Sequence, residues 1–193
     1  LTSSALAAID TEKSYDLVRA DKNENPYGPS RVALQAINRA MNLTNRYGGG
    51  NRRNLVKLIA EQNGVATENV VLGSGSGEIL KLGGLIASWE TGSVVCVDPT
   101  YQDLVRYASR VRSQIVRVPV DENLACDLEA VANAIKKDTR MVYLVNPNNP
   151  VPNIINKNKL RDFVIEVSKD RLVFIDEAYH EYVTDPDYSS MMD

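Results

Sequence analysis

An aspartate directly follows a run of apolar residues near the end of the 193-residue sequence. The run covers residues 172–175, the acid is Asp176, and Tyr179 stands three positions further on. Placing a carboxylate in apolar surroundings is costly unless a charge or hydrogen-bonding partner compensates for the lost hydration. Asp176 is therefore a candidate for holding a cationic group, with the capping of a strand or helix as the structural alternative.

Three other polar segments also follow apolar runs. They are a GSGSG turn at residues 73–77, an Asp-Pro-Thr-Tyr segment ending at Tyr101, and an Asn-Pro-Asn-Asn-Pro segment that contains Asn149. Glycines before a helix leave backbone N–H groups unhindered at its positive end, which favours a phosphate ligand. The GxGxG spacing differs from the GxGxxG of dinucleotide-binding domains, but Asp98 stands roughly where those domains place a ribose-binding acid. A nucleotide-binding domain therefore stays open as an alternative.

Alternating helical and apolar segments must position these loops. The pattern predicts helices over residues 31–43, 52–63, 78–88, 102–110, 128–137 and 157–168, and strands over residues 70–72, 94–97, 114–118, 141–145 and 172–175. Buried strands separated by helices indicate an α/β fold, a three-layer sandwich with a mainly parallel sheet. Ligands bind at the carboxyl ends of such strands, where all four polar segments fall.

Composition limits the classes of function. The net charge of -3, from 22 basic and 25 acidic residues, offers no field suited to nucleic acid or to an anionic membrane. No apolar run approaches the roughly 20 residues that span a bilayer. Cys96 and Cys126 lack the spacing of a disulfide framework or a metal site, so no metal is expected. We expect small-molecule chemistry in the cytoplasm, although the sequence begins at Leu1 and an N-terminal export signal could have been removed.

Together with Asn-Glu-Asn-Pro-Tyr-Gly at residues 23–28, the four loops resemble the pyridoxal-phosphate-dependent aminotransferases of fold type I, and among them the histidinol-phosphate aminotransferase-like (class I/II) group of amino-acid biosynthesis. The resemblance runs from Asn23 to about Tyr182. It implies an N-terminal arm over residues 1–30 and most of the large, cofactor-binding domain over residues 31–193. We expect that domain to be incomplete at its C-terminus and the small domain to lie outside this sequence.

The resemblance also implies a role for each loop. Asp176 would pair with the pyridine nitrogen of pyridoxal 5'-phosphate and keep it protonated. Tyr101 would lie flat on the pyridine ring, and Asn149 and Tyr179 would hydrogen-bond its phenolic oxygen. Asp176 and Tyr179 are thus the catalytic candidates. The phosphate would bind at the start of the helix, to Ser74, Gly75, Ser76 and Gly77.

Tyr47 stands where these enzymes commonly have a tyrosine that reaches the cofactor phosphate of the partner subunit, which implies a homodimer. Two segments depart from the family pattern: residues 48–50 are glycines in place of a proline and an acidic residue, and Val151-Pro152 replaces a threonine and a glycine. These loops are expected to differ locally. His180, the only histidine, is interpreted as a structural or surface residue, because a lysine moves the proton in this family.

By this resemblance, the full-length enzyme transfers an amino group from an amino acid or amino-phosphate donor to a 2-oxo acid. No lysine follows Lys169 in the sequence. We therefore expect the Schiff-base lysine to lie beyond Asp193 and this chain alone to be inactive. The alternative is a non-catalytic cofactor-binding or assembly fragment.

Overall fold

The computed structural model describes residues 21–192, and the chain divides into two compact units at Gly49 and Gly50. In the first unit, helix α1 spans Arg31–Ala40 and a 3-10 turn follows at Met41–Leu43. The hydroxyl of Ser30 caps α1 by accepting the N–H of Ala33 at 3.2 Å. The helix predicted over residues 31–43 is therefore confirmed, and its last three residues form a 3-10 turn. Residues 1–20 of the predicted arm lie outside the described residues.

The second unit carries a four-stranded parallel sheet with helices before and between its strands. The strand order is β2-β1-β3-β4, so the middle of the sheet is formed by β1 and β3. The strands are β1 (Ser93–Asp98), β2 (Gln114–Pro119), β3 (Thr139–Val145) and β4 (Leu172–Asp176). The helices are α2 (Gly49–Asn63), α3 (Ser76–Ala87), α4 (Asp103–Arg110), α5 (Leu128–Ala134) and α6 (Lys157–Val167), with 3-10 turns at Thr67–Asn69 and His180–Tyr182.

Two hydrophobic clusters, one on each face of the sheet, form the core of this unit. Successive side chains of a strand point to opposite faces. Val94 and Cys96 of β1 accordingly join the cluster built with α3 and α4, while Val95 and Val97 join the one built with α5 and α6. This arrangement of helix, sheet and helix layers confirms the predicted three-layer α/β fold.

The strand predicted over residues 70–72 is wrong. Val70 has an extended backbone, but the segment forms no ladder with any strand of the described chain, and the Val71 side chain is 70% exposed. Consecutive β-branched residues favour an extended backbone. A strand also needs a neighbouring strand that forms hydrogen bonds with its backbone N–H and C=O groups. The GSGSG turn therefore follows an irregular segment.

Two adjacent glycines let α3 approach its neighbours closely. A Cβ atom on Gly83 would lie 2.6 Å from Cε2 of Phe174 on β4, and one on Gly84 would lie 2.9 Å from the carbonyl oxygen of Leu104 on α4. Such distances are shorter than real Cβ contacts, so only glycine allows this packing. Within residues 21–192, no helix has the length and apolar character needed to cross a bilayer.

Candidate active site

The polar loops after β1, β3 and β4 meet at the carboxyl edge of the sheet. Val145, the last residue of β3, pairs with Asp176, the last residue of β4. The loop after β1 is tied to the loop after β3 by two hydrogen bonds: Thr100 Oγ1 donates to Asn148 Oδ1 at 3.1 Å, and Asn148 Nδ2 donates to the carbonyl of Pro99 at 3.0 Å. The parallel register thus brings together side chains that are far apart in sequence.

Asp176 is the buried acid of this edge, with 9% of its surface exposed. The Tyr143 hydroxyl donates to Oδ2 at 3.4 Å, and the Ala178 N–H donates to Oδ1 at 3.2 Å. Burial raises the pKa of the Asp176 carboxyl, and these two donors partly offset the rise. A carboxylate in this position gains from a cationic partner, because a nearby positive charge favours its ionised form.

Asn149 and Tyr179 form a donor pair beside the acid. Asn149 Nδ2 donates to the Tyr179 hydroxyl oxygen at 3.2 Å, and both side chains are half-buried. An amide N–H and a phenolic O–H that are already in contact can converge on one oxygen atom of a ligand. The structure therefore brings these two predicted site residues together.

Tyr101 lies at the same edge, 38% exposed, and its hydroxyl donates to Asp103 Oδ2 at 3.3 Å. Burial and the Asp103 carboxylate raise the pKa of Tyr101, and the Asp176 carboxylate adds to that rise. The loop that carries Tyr101 follows β1 and is tied to the loop after β3, so the ring lies at the same sheet edge as the acid.

The GSGSG turn enters α3 through Gly75, which is the N-cap residue and has a φ of 76°. This left-handed backbone is easy for glycine and strained for other residues. The turn is ordered by Glu78, whose carboxylate accepts the Ser74 N–H at 2.5 Å. The Ser74 and Ser76 hydroxyls and the first N–H groups of α3, at Ser76 and Gly77, are the donors that an anion can use here.

Asp103 connects this turn to Tyr101. A Cβ atom on Gly77 would lie 3.7 Å from Asp103 Oδ2, the same oxygen that accepts the Tyr101 hydroxyl. The start of α3 and the start of α4 are therefore neighbours. The N-terminal end of α3 therefore lies next to the aromatic ring that the sequence predicted to stack on a ligand.

Three other residues singled out in the sequence lie elsewhere or have other partners. Tyr47 belongs to the first unit and its side chain is fully exposed. The Asp98 carboxylate lies 2.9 Å from Arg117 Nη1 on β2, which does not favour the ribose-binding role. His180 is half-exposed and its Nε2 lies 3.1 Å from Glu181 Oε1, as fits a surface residue.

Tyr143 is a site residue that the sequence pattern does not single out, because it lies within an apolar strand. It is fully buried in β3, opposite Phe174 of β4. A signal was available, because a buried tyrosine hydroxyl usually finds a hydrogen-bond partner and the strand around it is otherwise aliphatic. Identifying Asp176 as that partner required the register between β3 and β4.

Comparison with known proteins agrees with this geometry. The family described as aminotransferase class I and II matches residues 16–192. The histidinol-phosphate aminotransferase of Moorella thermoacetica is 36% identical over 177 residues, which cover 92% of this chain and 46% of that protein. That of Limosilactobacillus fermentum is 35% identical over 173 residues, covering 88% of this chain and 48% of that protein. The chain thus spans about half the length of the curated relatives it matches.

Solved structures show the same fold. The histidinol-phosphate aminotransferase of Sinorhizobium meliloti, in complex with pyridoxal-5'-phosphate, has a TM-score of 0.76 and 26% identity, covering 86% of this chain and 45% of that chain. The enzyme of Clostridium acetobutylicum has a TM-score of 0.75 and 29% identity, covering 86% and 49%.

The fold is therefore that of the pyridoxal-phosphate-dependent transferases of fold type I. Within that class, the chain belongs to the class I and II aminotransferase family. The resemblance found in the sequence is confirmed. The role of each site residue remains a prediction.

Proposed function

We propose that the full-length protein is a pyridoxal-5'-phosphate-dependent aminotransferase. The observation that carries the proposal is the buried Asp176 carboxylate, which lies at the same sheet edge as the Asn149–Tyr179 donor pair, the Tyr101 ring and the N-terminus of α3. Four kinds of group on one ligand would be recognised there: a cationic ring nitrogen, a ring oxygen, a flat aromatic face and a phosphate. Pyridoxal phosphate has all four.

The side chains fit this cofactor by their chemistry. Asp176 would hold the proton on the pyridine nitrogen, because its burial makes an opposite charge valuable. Asn149 and Tyr179 would donate to the phenolic oxygen, and the first N–H groups of α3 with the hydroxyls of Ser74 and Ser76 would bind the phosphate. The bound cofactor supplies an electron sink that eases removal of the proton beside the amino group of the donor.

Tyr101 would cover one face of the ring and exclude water from it. Its hydroxyl is held by Asp103 at 3.3 Å, which restrains the phenol ring near the start of α3. An aromatic side chain restrained in this way provides stacking area at a small cost in conformational entropy. We assign Tyr101 to cofactor binding rather than to proton transfer.

The substrates are inferred from the names of the relatives, and the assembly from the resemblance of the sequence around Tyr47. The proteins that the chain matches at 36% and 35% identity are histidinol-phosphate aminotransferases, so we propose an amino-phosphate donor such as histidinol phosphate and a 2-oxo acid acceptor. We also propose a homodimer in which the exposed Tyr47 reaches the cofactor phosphate of the partner subunit. Residues 31–193 would form most of the large domain. The cytoplasmic location stays a prediction from the sequence.

The test uses the full-length protein, purified with pyridoxal phosphate. We expect a visible absorbance band from bound cofactor and transfer of an amino group from histidinol phosphate to 2-oxoglutarate. Asp176→Ala should abolish turnover with an unchanged circular dichroism spectrum, whereas Asp162→Ala, which removes an exposed carboxylate on α6, should leave turnover unchanged. Unchanged turnover in Asp176→Ala would refute the role of this acid. Cofactor binding without transfer from any amino donor would favour the non-catalytic alternative.

A further inference from the structure

The Tyr143 side chain is tightly packed next to Asp176 of the candidate active site. It is fully buried, and its ring meets the ring of Phe174 edge to face, with centroids 6.0 Å apart and an interplanar angle of 68°. Phe174 is itself confined by Gly83 of α3, where a Cβ atom would lie 2.6 Å from the ring. The phenol ring of Tyr143 therefore has little freedom to move.

The sheet register carries the Tyr143 hydroxyl to Asp176. Tyr143 pairs with Phe174 across β3 and β4, and Asp176 is two residues further along β4, on the same face of the sheet. The hydroxyl donates to Asp176 Oδ2 at 3.4 Å while the Ala178 N–H donates to Oδ1 at 3.2 Å. Each oxygen of the carboxylate thus has its own donor, one from β3 and one from the turn after β4.

The two groups suit each other chemically. Burial, and next the Asp176 charge, raise the pKa of the Tyr143 hydroxyl, so it stays a neutral donor at physiological pH. A hydrogen bond donated to a carboxylate favours its ionised form. This hydrogen bond lowers the pKa of Asp176, whereas burial, the largest influence on that pKa, raises it.

We propose that Tyr143 is a positioning residue for Asp176, whose hydroxyl holds the carboxylate in one orientation and in its charged form. This inference rests on the proposed function, in which the charged Asp176 pairs with the pyridine nitrogen. Tyr143 acts through Asp176 and does not touch the substrate.

Tyr143→Phe in the full-length protein removes the hydroxyl and keeps the ring that packs on Phe174. The matched control is Tyr188→Phe, which removes a tyrosine hydroxyl that donates to the carbonyl of Asn146 at 3.2 Å. We expect about tenfold weaker cofactor binding in Tyr143→Phe near neutral pH, since a hydrogen bond to a charged group contributes on that scale. Tyr188→Phe should bind the cofactor within about twofold of wild type.

A second readout needs no cofactor. In protein labelled with ¹³C at the aspartate carboxyls, the Asp176 resonance is identified by its loss in Asp176→Asn and is followed as pH changes. The Asp176 titration should move to higher pH in Tyr143→Phe, which lacks the donor to this carboxylate. It should stay unchanged in Tyr188→Phe. In the Asp176→Asn background, adding Tyr143→Phe should weaken cofactor binding no further.

The outcomes separate the two proposals. If the wild-type protein binds no pyridoxal phosphate, the proposed function fails, and the Asp176 titration still tests the Tyr143 contact. If it binds and transfers, but the titration is the same in wild type and Tyr143→Phe or moves equally in Tyr188→Phe, the inference about Tyr143 is wrong.

Discussion

Gly84→Ala is expected to destabilise the protein although alanine is the better helix former. Gly84 lies in α3 where this helix packs on α4, and both surfaces are buried. A Cβ atom there would lie 2.9 Å from the Leu104 carbonyl oxygen and 3.0 Å from the Ala108 nitrogen. Both are backbone atoms of α4, which cannot rotate away as a side chain can. The two helices would have to separate by a few tenths of an ångström.

The size of the effect comes from two opposing contributions. Replacing glycine by alanine in a helix interior stabilises by about 0.5–1 kcal/mol. Overpacking of a buried contact costs about 1–3 kcal/mol, and we place this site in the upper half because the obstructing atoms are backbone. The net expectation for Gly84→Ala is a loss of about 1–2.5 kcal/mol in the free energy of unfolding.

Gly77→Ala is the matched control, because it makes the same chemical change in the same helix. The nearest atom to its added Cβ is Asp103 Oδ2 at 3.7 Å, an ordinary van der Waals distance. Thermal unfolding of the cofactor-free, full-length variants measures the difference. A change of 1 kcal/mol moves Tm by about 2–4 °C in a domain of this size. If Gly84→Ala is as stable as Gly77→Ala, the close approach of α3 and α4 is refuted.

Three further predictions concern buried polar groups. Burial raises the pKa of Asp176 above its value in the unfolded chain, so the folded state binds this proton more tightly and loses stability as pH rises between the two pKa values. Asp176→Asn removes that loss, and urea unfolding of the cofactor-free protein should show the variant more stable than wild type at pH 7 and no more stable at pH 3. The Cys96 thiol is fully buried and its pKa is raised to about 11, chiefly by burial. Iodoacetamide at pH 8 should therefore label it only after unfolding in urea, as peptide mass spectrometry would show; labelling of the native protein would contradict the burial. Asn146→Ala leaves the Ile155 N–H without the side-chain oxygen that accepts it at 2.9 Å, and should lower the free energy of unfolding by about 1–3 kcal/mol. A loss below about 0.5 kcal/mol in urea unfolding would show that this hydrogen bond contributes little.

The sequence predicted the layers well because the central strands are buried on both faces. Residues 94–97 and 141–145 are continuous apolar runs, and they became β1 and β3 in the middle of the sheet. Helix ends agree less closely with the prediction. The helix predicted to reach residue 137 ends at Ala134, where the next residue turns extended with a ψ of 125°. A periodic pattern identifies the face of a helix, while its end depends on local hydrogen bonds.

The sequence could not predict features that depend on a neighbour. Residues 70–72 have the composition of a strand and form none, because pairing requires an adjacent strand. The contact of Tyr143 with Asp176 depends on the register of β3 against β4. The resemblance to a family identified the loop residues, since each loop has a recognisable motif. A tyrosine within a strand belongs to no motif and was missed.

The buried acid also links cofactor binding to the stability of the fold. In the cofactor-free protein, the Asp176 carboxylate is held by the Tyr143 hydroxyl and the Ala178 N–H against the cost of burial. A cationic ring nitrogen would relieve that cost, whereas an asparagine at this position has no charge to relieve. A ligand stabilises a protein by an amount that grows with its affinity.

Saturating pyridoxal phosphate should therefore raise the Tm of the wild-type protein more than that of Asp176→Asn. The hydrogen bond from Tyr143 favours the ionised form of Asp176, so Asp176 should become protonated at higher pH in Tyr143→Phe than in wild type. At those pH values, pyridoxal phosphate should also raise the Tm of Tyr143→Phe less than that of wild type. Differential scanning fluorimetry with and without cofactor measures these gains, and Tyr188→Phe is the control expected to behave as wild type. Equal gains in wild type and Asp176→Asn would mean that the charge of Asp176 contributes nothing to cofactor binding, and the proposed pairing with the ring nitrogen would have to be abandoned.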